Sequence, residues 1–464
     1  MSDFADSVAP LLFWTLAAVA LIAPPRWALF SYLLLAQVDL SASDFASAST
    51  LGLDNAFRIV VIPTVLLLRL RSTAPAPAIP DALSRWWLLF AAYVAIASFW
   101  SPFPLSAIKM IGYLYCYSAL FILFRRAWAQ SWFSIRFVIA NLGAALCIAT
   151  AQTYVLGDLA SPEGRLTSFD DPQNFAAYLI SIAAIVLFAR ENEKGALRWF
   201  ALAAAAGGIV LTGSRYVLIG LVMLAVLSFL RQWFEQGSGA KLSAFVKRIV
   251  FVAAATLLLV TVIVRFAPEN RLNELVDYAG TSSSSYEDVG TFAWRVLIYE
   301  EAIDQILNRT AVGLLFGSGT SSAGGVKVDV YSKQFTLEEV DANRSMHDEF
   351  LRAVYEWGIV GLVLLLGFLG STFSFCWRRA KATREVSTLA YIALFPTLLL
   401  GLGVENILAN AGHPAGTGYL LVFTFSAAAP VGARSLLATA RHPMLAGGMA
   451  PNFPAARVEK HFPA

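Results

Sequence analysis

The chain has 464 residues, of which 58% are hydrophobic and 14% are charged, and its formal net charge is +3. Soluble domains carry about 25% charged residues, so this composition excludes an ordinary soluble protein and indicates a polytopic membrane protein. The small net charge gives no support to nucleic-acid binding. The three cysteines, Cys116, Cys147 and Cys376, lie in apolar runs, so neither a disulfide framework nor a metal-ligand spacing is predicted.

Apolar runs near the length needed to cross a bilayer recur along the chain. We predict spans at roughly 8–23, 27–40, 56–70, 86–101, 105–124, 135–155, 174–190, 197–212, 214–230, 248–266, 350–374, 386–404 and 415–435. Only Ala23–Arg26 joins the first two, so they are either two spans or a helix plus a re-entrant piece. We therefore expect an all-α polytopic membrane protein with about 12 transmembrane helices, and the range 11–13 stays open.

Lysine and arginine in the short loops predict the orientation. The basic loops at 69–85, 125–136, 190–198, 231–248 and 378–384 alternate with loops poor in these residues. The basic set is therefore predicted to be cytoplasmic, and the long polar segment between the tenth and eleventh candidate spans faces outward. The resulting divisions are an N-terminal membrane domain (1–266), an outer loop (267–349), a C-terminal membrane domain (350–436) and a disordered cytoplasmic tail (437–464).

The outer loop contains one helical pattern and one break. Positions 296, 299, 302, 303, 306 and 307 are apolar, which predicts an amphipathic helix over Trp294–Leu307 that packs on the membrane domain. Phe316–Thr320 then reads FGSGT. Glycine-rich loops can hold phosphate, but no strand precedes this one and no lysine follows it, so a plain turn is favoured.

Histidine is scarce, with four in the whole chain. Two of them, His347 and His413, lie on the predicted outer side. His347 stands at the water-facing start of a span beside Arg344, Asp348 and Glu349. A neutral imidazole can act as a base, and a neighbouring carboxylate can fix its tautomer. His347 is therefore the candidate base, with His413 as the alternative and a merely solvated interfacial histidine as the plain reading.

Arginine is the second signal at this face. Arg215 lies in a very short turn between two spans, Arg295 opens the predicted amphipathic helix, and Arg165 lies in another outer loop. A guanidinium group binds phosphate in a bidentate manner and keeps its charge, so arginines around a histidine suit an anionic substrate. Each has a plain alternative, because interfacial arginines commonly snorkel and exposed ones are simply solvated. Lys109 either adds to the positive field or snorkels.

Four short motifs follow one another on the predicted outer face. They are the turn Asp171–Asn174, the turn Leu211–Tyr216, Arg295 with the later Gly317-Ser318-Gly319, and His347 with Glu356–Gly361. In this order, from about residue 160 to 420, they resemble the O-antigen ligase and polymerase superfamily of bacterial inner-membrane glycan transferases. They are similar to its Pro-Asn turn, its Thr-x-Ser-Arg turn, its second functional arginine with Gly-x-Gly, and its His…Glu-x-Gly-x-x-Gly signature.

The resemblance implies a multi-pass protein of the inner membrane whose active site faces the periplasm, which makes the outer loop periplasmic. It implies transfer of a glycan from undecaprenyl diphosphate to a sugar hydroxyl, without a metal, a cofactor or a nucleotide sugar. The partners are then the lipid-linked oligosaccharide, an acceptor glycan or lipid A–core and the lipid bilayer, and a chain-length regulator stays open. The implied site has His347 as catalytic residue, Arg215 and Arg295 on the diphosphate, and these supporting residues: Arg165, Asn174, Arg344, Asp348, Glu349 and Glu356.

The departures from the family pattern concern the subtype. The ligase signature usually has Asn, Ser or Gln after the histidine and Gly, Thr or Tyr after the last glycine, where this chain has Asp348 and Leu362. Polymerases share the fold with looser motifs, so a polymerase is favoured and a ligase acting on lipid A–core is the alternative. A lipid-linked sugar transporter is a more distant alternative, since transporters carry ionisable residues near mid-membrane and often show inverted repeats. A structural membrane subunit is the plain alternative.

Overall fold

The computed structural model describes residues 2–38, 53–70, 81–155, 166, 172–189, 195–236, 291–326, 346–383, 386–404, 407–408 and 413–428. Every regular element within these ranges is helical, which confirms the all-α prediction. Several predicted features lie outside them: the span 248–266, much of the outer loop, the tail 437–464, Arg165 and Arg344.

The N-terminal half contributes nine helices to the described part of the chain. They are α1 (Ser2–Ile22), α2 (Pro25–Leu35), α3 (Leu53–Ala56 and Ile62–Leu70, joined by the π-helical turn Phe57–Val61), α4 (Asp81–Ala97), α5 (Pro104–Ala129), α6 (Ile135–Thr150), α7 (Pro172–Phe188), α8 (Gly195–Thr212) and α9 (Arg215–Gln236).

The C-terminal half holds the elements that carry most of the candidate site. They are α10 (Thr291–Leu307), α11 (Ala311–Phe316), α12 (Glu349–Thr383), α13 (Leu389–Leu402) and α14 (Pro414–Ala428). Two 3₁₀ turns, Ser98–Trp100 and Val386–Thr388, extend α4 and lead into α13.

Five helices in the described ranges are long and apolar enough to cross a membrane. They cover Ala82–Trp100, Pro104–Ala129, Ile135–Tyr154, Gly195–Thr212 and Glu349–Thr383, and each overlaps one predicted span. Shorter apolar helices lie at Val8–Ile22, Pro172–Phe188, Arg215–Leu227 and Val386–Leu402. This set of apolar helices marks a membrane protein, while the total of about 12 spans stays a prediction.

The core is centred on α7, which packs against α8, α9, α13 and α14. Its side chains are buried without interruption from Asn174 to Val186, as expected for a helix that is apolar all round. Gly418 of α14 lets the two helices approach closely, because a Cβ there would lie 3.0 Å from the Tyr178 Cα. Small residues at helix crossings serve this purpose in membrane proteins.

The amphipathic helix predicted over Trp294–Leu307 is confirmed as α10, but its packed face differs from the prediction. Ile298, Ala302 and Ile306 are buried in a small cluster with α12, whereas Ile303 and Leu307 are exposed. The buried stripe consists of Ile298, Ala302 and Ile306, at spacing i, i+4 and i+8, and Tyr299 packs partly buried beside it. Of the predicted apolar pairs 302/303 and 306/307, only Ala302 and Ile306 are buried in the cluster.

Candidate active site

His347 lies in the turn directly before α12. Its φ angle is 51°, in the left-handed region that residues other than glycine seldom adopt. The Tyr299 hydroxyl of α10 donates to the His347 carbonyl oxygen at 3.1 Å, and the histidine is only half-buried. Helix α10 therefore holds the backbone of this turn, and water can reach the residue.

Asp348 starts α12. Its Oδ1 accepts the backbone N–H groups of Phe350 at 2.8 Å and Leu351 at 2.9 Å, and its carbonyl accepts the Arg352 N–H at 2.9 Å. This is the N-cap arrangement, which satisfies donors that a helix start leaves open. Burial raises the pKa of Asp348 from its ordinary value, and the Leu351 and Phe350 N–H groups oppose that rise. The predicted orientation of the imidazole by this carboxylate stays a prediction.

Three charged side chains form a buried row on one face of α12. Glu349, Arg352 and Glu356 are 0%, 1% and 0% exposed. Arg352 Nε donates to Glu356 Oε1 at 3.0 Å, and Arg352 Nη1 lies 3.7 Å from Glu349 Oε2. Glu349 Oε1 also accepts the backbone N–H of Leu408 at 2.8 Å. Two of the predicted supporting residues, Glu349 and Glu356, are thus joined by an arginine that the sequence analysis did not select.

The glycine-rich break after α11 is a turn whose backbone N–H groups bond to α12. Glu356 Oε2 accepts the Ser321 N–H at 2.8 Å and Glu356 Oε1 accepts the Ala323 N–H at 3.4 Å. The backbone N–H groups of Ser318 and Gly319 donate to the carbonyls of Tyr355 and Glu356. These donors are therefore committed to α12, and the plain-turn interpretation is favoured over a phosphate loop.

The glutamate and the two glycines of the Glu-x-Gly-x-x-Gly motif each have a structural role. Glu356 binds the turn after α11. Gly358 has φ 63° and ψ −166°, so it interrupts α12, and a Cβ there would lie 2.3 Å from the Leu315 carbonyl oxygen. A Cβ at Gly361 would lie 2.1 Å from the Trp357 Cβ, because the break turns Trp357 towards it. The motif therefore specifies a broken helix that receives the turn.

Arg295 and His347 are linked by α10. Arg295 Nη1 donates to the Val404 carbonyl at 3.1 Å, just after α13 ends. Tyr299, one helical turn further along α10, bonds the His347 carbonyl. One face of this helix therefore contacts both the end of α13 and the His347 turn, so the predicted diphosphate ligand and the predicted base belong to one neighbourhood.

The Arg215 turn reaches the same end of α13. Gly213 has φ 66° and lets α8 turn directly into α9, which leaves Arg215 exposed at the first position of α9. Its neighbour Tyr216 packs on α13, where a Cβ at Gly401 would lie 3.0 Å from Tyr216 Cε2. The Arg215 turn and the Arg295 side chain therefore both lie at the same end of α13.

The turn with Asn174 and the segment next to Arg165 adjoin the Arg215 turn. The Tyr216 hydroxyl donates to the Gln173 carbonyl at 3.4 Å, and the Leu166 N–H donates to the Leu211 carbonyl at 3.0 Å. Asn174 itself is buried. The first two motifs of the predicted outer face therefore lie side by side.

A second group of cations lies beside His413. Burial lowers the pKa of His413 well below its ordinary value, and the charges of Arg58 and Lys109 lower it further. The Tyr113 ring stands edge-on to the imidazole, with 6.2 Å between ring centroids. Arg58 was not selected from the sequence, although a fully buried arginine within a predicted span is itself a signal of function.

Residues 200–366 match the family model described as Wzy_C, O-antigen ligase. Over this region the chain is similar to the O-antigen ligase family. The match contains Arg215, Arg295 and His347, confirms the resemblance to the O-antigen ligase and polymerase superfamily, and implies a glycan-transferring activity of the ligase or polymerase kind. No curated protein matches the chain.

Proposed function

We propose that this protein is a surface-polysaccharide glycosyltransferase of the inner membrane, with its active site at the periplasmic face. It moves a glycan from undecaprenyl diphosphate onto the hydroxyl of an acceptor sugar and acts as a polymerase. The observation that carries the proposal is the double contact of α10, where Arg295 reaches the end of α13 and Tyr299 holds the His347 turn. The family of residues 200–366 supports the reaction class.

The leaving group determines what the arginines do. As the bond between the anomeric carbon and the diphosphate oxygen breaks, its electron pair passes to undecaprenyl diphosphate and negative charge develops there. Arg215 and Arg295 stabilise that charge, which is commonly the largest catalytic contribution at such a site. Guanidinium groups hold a diphosphate in a fixed orientation and stay charged at all working pH values.

The acceptor must lose a proton as the new glycosidic bond forms. The His347 imidazole takes that proton, so the acceptor oxygen attacks the anomeric carbon in line with the departing diphosphate and the configuration inverts. A positioned general base typically contributes about 10²–10⁴ in rate. The half-buried state of His347 suits this role, because both the acceptor and the water that later removes the proton need access.

Ligation to lipid A–core is the second candidate, and the description of the matched family model favours it. Analysis of surface polysaccharide from a strain that lacks the gene separates the two. A polymerase predicts loss of long chains with one repeat unit still on the acceptor. A ligase predicts bare lipid A–core together with accumulating lipid-linked polymer. Unchanged surface polysaccharide would contradict both.

A further inference from the structure

The row of Glu349, Arg352 and Glu356 joins three separate segments of the chain. Through Glu349 it holds the Leu408 backbone, and through Glu356 it holds the Ser321 and Ala323 backbone. Its first member stands two residues after His347 and lies in the first turn of the helix that His347 precedes. The row therefore connects the turn after α13 and the turn after α11 to the start of α12.

Stability does not explain this arrangement. Removing charges from water is costly, and replacing a buried ion pair by apolar residues of similar volume is often neutral or stabilising. The remaining Arg352 contacts that the structure shows are weak or apolar: Nη2 lies 3.8 Å from the Met110 sulfur, and the guanidinium carbon lies 5.8 Å from the Trp357 ring centroid. A buried ionic row of this kind is instead suited to holding the segments around it in one geometry.

We propose that Arg352 is a positioning residue for the transfer reaction. It holds both carboxylates, so that the two turns they bind and the His347 turn keep one mutual geometry. This inference rests on the proposed role of His347 as base. A displacement of about 1 Å at a reacting group can cost about 10²-fold in rate, which sets the effect expected when the row is removed.

The test uses a variant without uncompensated buried charge: Glu349→Gln, Arg352→Met and Glu356→Gln together. Each glutamine oxygen can still accept one backbone N–H group, that of Leu408 at position 349 and that of Ser321 at position 356, and methionine fills the space of the arginine stem. Asp304→Asn is the matched control, because it removes the same net charge from an exposed site on α10. Steady-state transfer is measured with a purified undecaprenyl-diphosphate-linked oligosaccharide, alongside thermal unfolding and size-exclusion profiles.

We expect the triple variant to fold, its kcat to fall about 10²-fold and its donor KM to stay nearly unchanged, since positioning acts in the transition state. Asp304→Asn should transfer at the wild-type rate. If the triple variant does not fold, Arg352→Lys replaces it, because lysine keeps the charge without the planar fork. A wild-type kcat in the folded triple variant, or in Arg352→Lys, overturns the proposal.

A double-mutant comparison separates positioning from a merely structural role. The triple variant is combined with His347→Gln, and the residual transfer is measured over long incubations. If the row acts through His347, the combined variant is no slower than His347→Gln alone. If the rate losses of the triple variant and of His347→Gln multiply in full, the positioning role is overturned and the base assignment stays intact. Wild-type transfer by His347→Gln alone instead overturns the base assignment, and the positioning role with it.

Discussion

Arg215 and Arg295 differ in their relation to the helix ends around them. Arg215 is the first residue of α9, where the helix macrodipole disfavours a cation. Arg295 donates to a carbonyl just beyond the C-terminal end of α13, where the macrodipole favours one. Arg215 therefore gains nothing from its own helix, and an anionic ligand gives a reason for its exposed position.

Lysine substitution tests both arginines. Arg215→Lys and Arg295→Lys keep the charge but lose the planar fork that matches a diphosphate. We expect each variant to insert at normal levels and to lose at least about tenfold in transfer rate, the equivalent of about 1.4 kcal/mol. Arg378→Lys, at an exposed position near the far end of α12, is the control and should stay active. Near-wild-type transfer by both test variants would make these arginines snorkelling or solvated residues.

The surroundings of His413 predict a pH dependence of stability. Its pKa is lowered by burial and by Arg58 and Lys109, whereas an unfolded histidine titrates near about 6.5. Between the lowered pKa and about 6.5 the unfolded state binds more protons, so the free energy of unfolding falls as pH falls through this window. Above the window His413 contributes no pH dependence.

Thermal unfolding in detergent between pH 8 and pH 5 measures this effect. We expect the thermal midpoint to decrease as the pH is lowered below about 6.5. We expect the midpoint of His413→Gln to decrease less over the same pH range, whatever the absolute stability of the variant. An identical pH slope in wild type and variant would show that His413 does not titrate as its surroundings require.

The candidate site residues are predicted from their positions in the pattern. His347 and Arg215 stand at the ends of apolar runs and Arg295 opens an amphipathic pattern, and these placements are visible in the sequence. Arg352 was missed, although Glu349, Arg352 and Glu356 have the i, i+3 and i+7 spacing of one helix face. Its burial depends on the segments after α11 and α13, which no local pattern brings to that face.

At the scale of elements, the Gly317–Gly358 contact positions the turn after α11. Both residues have positive φ, 74° and 63°. A Cβ at Gly317 would lie 2.3 Å from the Glu356 carbonyl oxygen, and one at Gly358 would lie 2.3 Å from that of Leu315. The two backbones thus meet without space for a side chain, and the Tyr93 hydroxyl donates to carbonyls on both sides.

Alanine substitution tests this contact. Positive φ combined with ψ near 180° is essentially restricted to glycine and costs a residue with a Cβ about 1–3 kcal/mol, and here rigid backbone also stands in the way. We expect Gly317→Ala and Gly358→Ala to lower the thermal midpoint clearly and to reduce transfer. Gly370→Ala, on the same helix with nothing within 4 Å of the added Cβ, should match wild type. A thermal midpoint unchanged in both test variants would contradict the close backbone contact between Gly317 and Gly358.

The helices themselves could be predicted, because apolar runs of sufficient length have few alternatives in a membrane. The break at Gly358 could not. The run Phe350–Leu366 is a continuous helical pattern, and a single glycine inside it is also compatible with an unbroken helix. The packed face of α10 was predicted too wide for a related reason, since periodicity shows which residues are apolar and not which ones find a neighbour.

At the scale of the whole molecule, the basic loops predict an orientation with the His347 turn outside the cytoplasm. Cysteine substitutions test it in spheroplasts, in a Cys147→Ser background because Cys147 is exposed. We expect a cysteine at Ser283 to react with an impermeant thiol reagent, and one at Gly237 or Ser238 to react only after lysis. Reversed labelling would place the predicted site in the cytoplasm and end the lipid-diphosphate transferase proposal.

The central claim is that His347 removes the acceptor proton while the diphosphate lipid leaves. The most direct measurement follows a purified undecaprenyl-diphosphate-linked oligosaccharide in vesicles with wild type or His347→Gln, and records glycan length, released undecaprenyl diphosphate and donor binding. We predict longer glycan and stoichiometric lipid release with wild type, and normal donor binding with transfer lowered about 10²–10⁴-fold in the variant. Equal transfer by both proteins, or a glycan that crosses the membrane chemically unchanged, would contradict the account.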